Sequence, residues 1–156
     1  MGDRPSFVYV VYIASTQEKV WQALTDGKIS REYWGGRQVE SDWQVGSPVH
    51  FRLENGELDA ARLRVVEVNK PLKLVMNWTR ELPGKPPPPA TRVTYTLDTA
   101  GPKNVKLTVV HEEFEPGSVV DDGLRNGWPA ILSSLKSYLE TGEALDVTKR
   151  WSAQCR

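Results

Sequence analysis

The chain has 156 residues, the length of one ordinary domain, and folding at that size buries about 70% of the unfolded surface, so a core needs neither disulfide nor metal. Lys plus Arg and Asp plus Glu number 20 each, and this zero net charge leaves no basic excess for nucleic acid or an anionic membrane. The lone Cys155 forbids an internal disulfide. No apolar run reaches the roughly 20 residues of a membrane span, and the start Asp3-Arg4-Pro5 lacks a signal-peptide pattern, so a cytoplasmic protein is expected.

Ser6 to Ile13 is rich in β-branched and aromatic residues and contains no breaker, which predicts a strand. Ser15 with Glu18 three residues later is a capping-box pattern, opening a helix that carries Val20, Trp21 and Leu24 on one side and ends near Asp26-Gly27. A second short helix is predicted over Ile29–Trp34, stopped by Gly35-Gly36. A train of strands follows: Arg37–Asp42, Val49–Leu53 after a turn through Gly46 and Pro48, and Leu58–Val68 with a bulge near Ala60-Ala61. The Asn55-Gly56 pair between the last two signals a hairpin. Lys73–Arg80, Arg92–Leu97 and Val105–His111 alternate cleanly. Leu74, Met76 and Trp78 share one face, as do Val93, Tyr95 and Leu97, and as do Leu107, Val109 and His111. Between the first two of these, Leu82–Ala90 holds the run Pro86–Pro89, which cannot be a central strand and reads as a stiff, extended loop.

The longest apolar-periodic run is Gly123 to Gly142. Leu124, Trp128, Ile131, Leu132, Leu135, Tyr138 and Leu139 fall on one stripe of a 3.6-residue helix, while Arg125, Ser133, Lys136, Ser137 and Glu140 fall off it. The spacing predicts a helix from about Trp128, or from a turn earlier with Pro129 as a kink, stopped by Gly142. Sequential hairpins make the sheet antiparallel, and one amphipathic helix must bury its stripe against it. The expected fold is therefore α+β: a curved sheet of about six strands around a long C-terminal helix, with two short helices after the first strand. Residues 1–142 form one domain and 143–156 a tail that is either frayed or laid back on it.

Chemistry-bearing residues are few. Two His and one Cys cannot supply a structural metal site, no phosphate-cradling glycine loop is present, and no cofactor is implied. His111, on an apolar face, is a weak candidate for a proton donor or acceptor to a bound ligand; a strand-end His hydrogen-bonded within the fold is the alternative. The aromatic set Trp34, Trp78, Tyr95, Trp128 and Tyr138 is either core or the lining of a cavity between sheet and helix. Phe51, Met76, Val109, Ile131 and Leu135 complete the candidate lining.

The run Glu18-Lys19-Val20-Trp21-Gln22-Ala23-Leu24-Thr25-Asp26, then Tyr33-Trp34 and the Trp43…Gly46 turn, resembles the opening of the heat-shock-protein ATPase activator homologue family. Leu74…Trp78, Leu107-Thr108-Val109-Val110-His111 and Gly127-Trp128…Leu139-Glu140-Thr141-Gly142 are similar to its later motifs. The resemblance covers about residues 7 to 142. It implies the helix-grip fold of the START-related, Bet v 1-like (SRPBCC) superfamily, whose members often hold hydrophobic molecules between sheet and helix, some of them as cyclases or hydrolases. It supplies no catalytic residue set. The leading expectation is a binder of a hydrophobic or aromatic small molecule, as monomer or homodimer. The alternatives are a co-chaperone-like protein-interaction module and an enzyme using His111.

Overall fold

The computed structural model describes residues 6–114, 117 and 119–154, with the backbone alone for 119–122 and 152–154. Its elements run β1 (Ser6–Ile13), α1 (Gln17–Thr25), α2 (Gly27–Tyr33), β2 (Gln38–Glu40), β3 (Pro48–Arg52), β4 (Ala61–Asn69), β5 (Lys73–Arg80), β6 (Thr91–Thr99), β7 (Val105–Glu112), α3 (Val119–Thr141) and α4 (Asp146–Gln154). The strands form one antiparallel sheet in the order β1-β7-β6-β5-β4-β3-β2. This is the α+β helix-grip architecture, with seven strands. The chain leaves β1 through the two short helices, enters the far edge at β2, and returns strand by strand until β7 pairs with β1.

Register explains the burial. Tyr95 lies opposite Val109 and Leu97 opposite Leu107, and all four are buried in the common core with Val93 and His111. The other face of β7 alternates Lys106, Thr108, Val110 and Glu112, which are only partly buried. On α3, Leu124, Trp128, Ile131, Leu132 and Leu135 are buried, and Tyr138 and Leu139 pack against the core partly exposed.

Local chemistry moves several boundaries from their expected places. Helix α1 is capped by Thr16, whose hydroxyl accepts the Lys19 N–H at 3.3 Å, because Ser15 instead turns back to give its own N–H to the Ile13 carbonyl at 2.9 Å. The bulge lies between Val65 and Glu67 rather than at Ala60-Ala61. There the Asp59 carboxylate accepts the Ala61 N–H at 2.9 Å and holds a turn, so β4 begins only at Ala61. Helix α3 begins at Val119, and Pro129 lies inside it. An interior proline costs about 3 kcal/mol, and buried Trp128 just before it and buried Ile131 and Leu132 just after it offset that cost.

Within the tail, Asp146–Gln154 forms a helix that is tied to α3. The Ser134 hydroxyl of α3 accepts the Leu145 N–H at 2.9 Å and lies 2.8 Å from the Thr148 hydroxyl; both side chains are fully buried. The position of Cys155 lies outside the described residues.

Candidate functional site

The inner face of the sheet and the middle of α3 bring six rings of the expected site into one group. Trp34, at the C-terminal end of α2, packs on Phe51 of β3 at 4.9 Å and on Trp128 of α3 at 5.6 Å between ring centroids. Trp128 meets Trp78 at 6.1 Å and Tyr95 at 6.0 Å, both edge-on. The His111 imidazole lies 5.8 Å from Trp78 and 6.1 Å from Trp128. Edge-on rings at these separations add about 0.5–1.5 kcal/mol per pair to the burial itself.

A polar chain crosses this apolar group. The Trp128 Nε1–H donates to His111 Nδ1 at 3.0 Å. Indole is a donor only, so Nδ1 must be the bare nitrogen, and in the neutral ring the proton is on Nε2. That N–H donates to the Thr91 Oγ1 at 2.8 Å, and the Thr91 hydroxyl in turn donates to the Trp78 carbonyl at 3.2 Å. Helix, β7, β6 and β5 are thus tied by three bonds whose directions are all fixed. Burial holds the imidazole neutral, lowering its pKa to about 4. Burial also pushes the phenol of Tyr95 well above its ordinary range, so it stays a hydroxyl at any physiological pH.

Chemically, this His111 is an orienting group. Both ring nitrogens are engaged, and taking a proton would turn Nδ1 into a second donor facing the Trp128 N–H. The Trp128 N–H and His111 Nδ1 nevertheless form an adjacent donor–acceptor pair inside an aromatic wall, which is how apolar sites fix the orientation of a ligand carrying one carbonyl or hydroxyl.

The remaining expected lining residues are spread along the same interface. Met76, Val109, Ile131 and Leu135 are buried in the common core. Tyr138 lies ten residues beyond Trp128 on α3, about 15 Å along the axis, and joins none of the ring contacts found among the described residues. Two members were not anticipated. Phe114 meets His111 edge-on at 6.1 Å, and Thr91 takes the His111 proton-bearing nitrogen. Thr91 was findable in principle: it lies two residues before Val93, the cross-strand partner of His111, and shares its face. His50 is on β3 opposite Glu40, away from His111. Among the described residues no three His, Cys, Asp or Glu side chains converge to hold a metal.

A sequence profile described as "Activator of Hsp90 ATPase homolog 1-like protein" matches residues 14–140. The chain belongs to that family. No curated protein matches it at the level of sequence. Among solved structures, a protein from Cytophaga hutchinsonii is similar with a TM-score of 0.72 and 27% identity, over 91% of this chain and 98% of that one. The Aha1 dimer from Colwellia psychrerythraea gives 0.72 and 21%, over 90% and 99%. An HSP90 activator from Plasmodium falciparum gives 0.71 and 22%, over 89% and 97%. The family's helix-grip fold is therefore shared over nearly the whole chain. No helix among the described residues is long and apolar enough to cross a membrane.

Proposed function

We propose that this family member binds a small aromatic or hydrophobic molecule at the ring group beneath the first half of α3. The observation that supports this reading is the donor–acceptor pair between helix and sheet, Trp128 Nε1–H and His111 Nδ1, set among Trp34, Phe51, Trp78, Tyr95 and Phe114. A core needs only apolar packing. A buried bond between helix and sheet is costly to leave unmade, and it defines one place where a ligand carbonyl or hydroxyl can replace a protein partner. In the structure the rings pack on one another through Trp128, so a ligand that takes this place enters by displacing Trp128 and the first half of α3. That half contains Gly123 and Gly127 and precedes Pro129, which has no N–H to give the helix ladder. His111 positions the ligand, and no turnover is assigned to it.

The test is an amide NMR titration of labelled protein with fatty acids, flavonoids, sterols and polyketide-like aromatics. Shifts centred on Trp34, Trp78, His111 and Trp128, weakened at least tenfold by Trp128→Phe, are expected. A panel that moves no residue of this group would overturn the reading.

The family match supports a second reading, a contact with an Hsp90-type chaperone. It predicts stimulation of chaperone ATPase by the isolated chain, undiminished by Trp128→Phe. A flat ATPase rate across saturating amounts of the chain would remove it.

A further inference from the structure

The sequence holds two Asn-Gly pairs, Asn55-Gly56 and Asn126-Gly127, and the fold puts them in opposite settings. The peptide nitrogen that follows an Asn can attack that residue's own side-chain amide. Gly leaves this nitrogen least shielded, because it has no Cβ and its backbone turns freely. Both asparagines are exposed, so access to water does not separate them. Backbone conformation does.

Asn55-Gly56 is the tip of the hairpin between β3 and β4. The Gly56 N–H donates to the Leu53 carbonyl at 2.9 Å, and the Leu53 N–H donates to the Glu57 carbonyl at 2.7 Å. Glu54, Asn55, Gly56 and Glu57 are all exposed. Gly56 has φ +88°, and a methyl group added to it would meet no atom within 4 Å, so the tip is free to open by breaking one turn bond. The Asn55 side chain already folds back over this peptide: its Oδ1 accepts the Glu57 N–H at 2.9 Å. That bond also draws electrons from Cγ, the atom to be attacked. Asn126-Gly127 lies inside α3. There each N–H bonds the carbonyl four residues earlier, and every Cα–Cβ bond leans toward the helix N-terminus, which carries the Asn126 amide away from the Gly127 nitrogen.

We propose that Asn55-Gly56 is a site of spontaneous deamidation in the folded chain, and that Asn126-Gly127 is protected by α3. The reaction needs only water. The Gly56 nitrogen loses its proton and bonds Asn55 Cγ; the Cγ–Nδ2 bond breaks, and Nδ2 leaves as ammonia with that proton. Water then opens the cyclic imide. Addition at Cγ breaks the new bond and leaves aspartate in an ordinary main chain. Addition at the Asn55 carbonyl carbon breaks the original peptide bond and leaves isoaspartate, whose main chain runs through Cβ. Either product adds a carboxylate next to Glu54 and to Glu57, whose Oε2 lies 3.5 Å from Asn55 Nδ2. The nearby Arg52 is already engaged, by the Gly56 carbonyl at 2.7 Å and by Glu40 at 2.7 and 3.0 Å. Isoaspartate also lengthens the main chain inside the turn, which opposes both Leu53 bonds. It therefore loosens the hairpin just beyond Phe51, the ring that packs on Trp34 at 4.9 Å. The reaction is at the surface and does not depend on ligand binding.

The experiment ages the full chain in neutral buffer and follows both sites by peptide mapping with mass spectrometry, separating aspartate from isoaspartate. The peptide holding Asn55 should show the amide-to-acid mass change at least tenfold faster than the peptide holding Asn126. In urea, where both pairs are unfolded, the two should convert at similar rates, which assigns the difference to the fold. Conversion at Asn55 should quicken from pH 7 to pH 9, because the attacking nitrogen must lose its proton. The aged chain should melt below Asn55→Gln aged in parallel, since Gln cannot close the same ring; equal melting would remove the loosening assigned to isoaspartate. Equal rates at the two sites in the folded chain, faster reaction at Asn126, or an Asn55 that stays an amide while the unfolded chain converts would overturn the proposal.

Discussion

The bond between Trp128 and His111 is the residue-scale feature with the most consequences. In the unfolded chain a His titrates near 6.5, whereas burial holds His111 at about 4. Above pH 6.5 both states are neutral and the native state has its full stability. As pH falls below 6.5 the unfolded chain takes up a proton that the native chain does not, so stability is lost by roughly 1.4 kcal/mol per pH unit, about 3 kcal/mol in all, before levelling near pH 4. Urea titrations at pH 7, 6 and 5 should show this fall, and His111→Gln should flatten it while being less stable at pH 7. Equal stability at pH 7 and 5 would mean that the ring is hydrated in solution. Trp128, only 3% exposed and touching four other rings, gives the companion prediction: Trp128→Ala should cost about 3–5 kcal/mol in the same assay. A loss below about 1 kcal/mol would place the indole in an open pocket. Both residues were legible in the sequence, one from its helical stripe and one from its strand alternation. Their bond was not, because a stripe tells which residues of a helix face the sheet, not which strand lies opposite each. Thr91 was hidden by its place directly after the proline-rich loop, where alternation has barely begun.

At the scale of elements, strands were the easiest to read because each buries one face and alternates. Their ends were harder. The cap at Thr16 and the turn held by Asp59 are decided by short polar side chains choosing among nearby backbone groups, and periodicity carries no information about that choice. Helix α4 shows the same limit more sharply. Its apolar residues, Val147 and Trp151, with Leu145 just before it, make too sparse a stripe to predict a packed helix, and Val147 is exposed. What seats α4 is polar: Ser134 bonding Thr148 and the Leu145 N–H. Ser134→Ala removes the partner of the buried Thr148 hydroxyl and the acceptor of the partly buried Leu145 N–H, which should cost about 1–3 kcal/mol. The cost should be local. Amide exchange should speed up over Leu145–Trp151 and stay unchanged in β5, β6 and β7, and acceleration throughout the sheet would show instead that α4 and the grip unfold together.

For the whole molecule, the architecture followed from one long stripe needing one curved sheet, and the sequence carried both. It was silent on where the assembly gives way. On the proposed binding reading, the assembly gives way in the first half of α3, between Val119 and Pro129. Gly123 and Gly127 are helical there, and a methyl group added at either would meet no atom within 4 Å. Alanine at each should therefore stabilise the helix by about 1 kcal/mol, since Gly is that much worse than Ala in a helix interior and nothing must move to admit the side chain. A fold shaped only for stability would gain nothing from keeping both glycines. If this segment must lift to admit a ligand beside Trp128, the double variant Gly123→Ala/Gly127→Ala pays the same gain again at entry. Its melting midpoint should rise by several degrees. Its association rate for any ligand found by titration should drop about thirtyfold, because two gains of about 1 kcal/mol add about 2 kcal/mol to the opening step and each 1.4 kcal/mol is a factor of ten. Dissociation passes through the same opening and should slow as well. A variant that is more stable yet binds at the original rate would show that the ligand enters elsewhere, and the glycines would then be a cost that the helix carries without a role in entry.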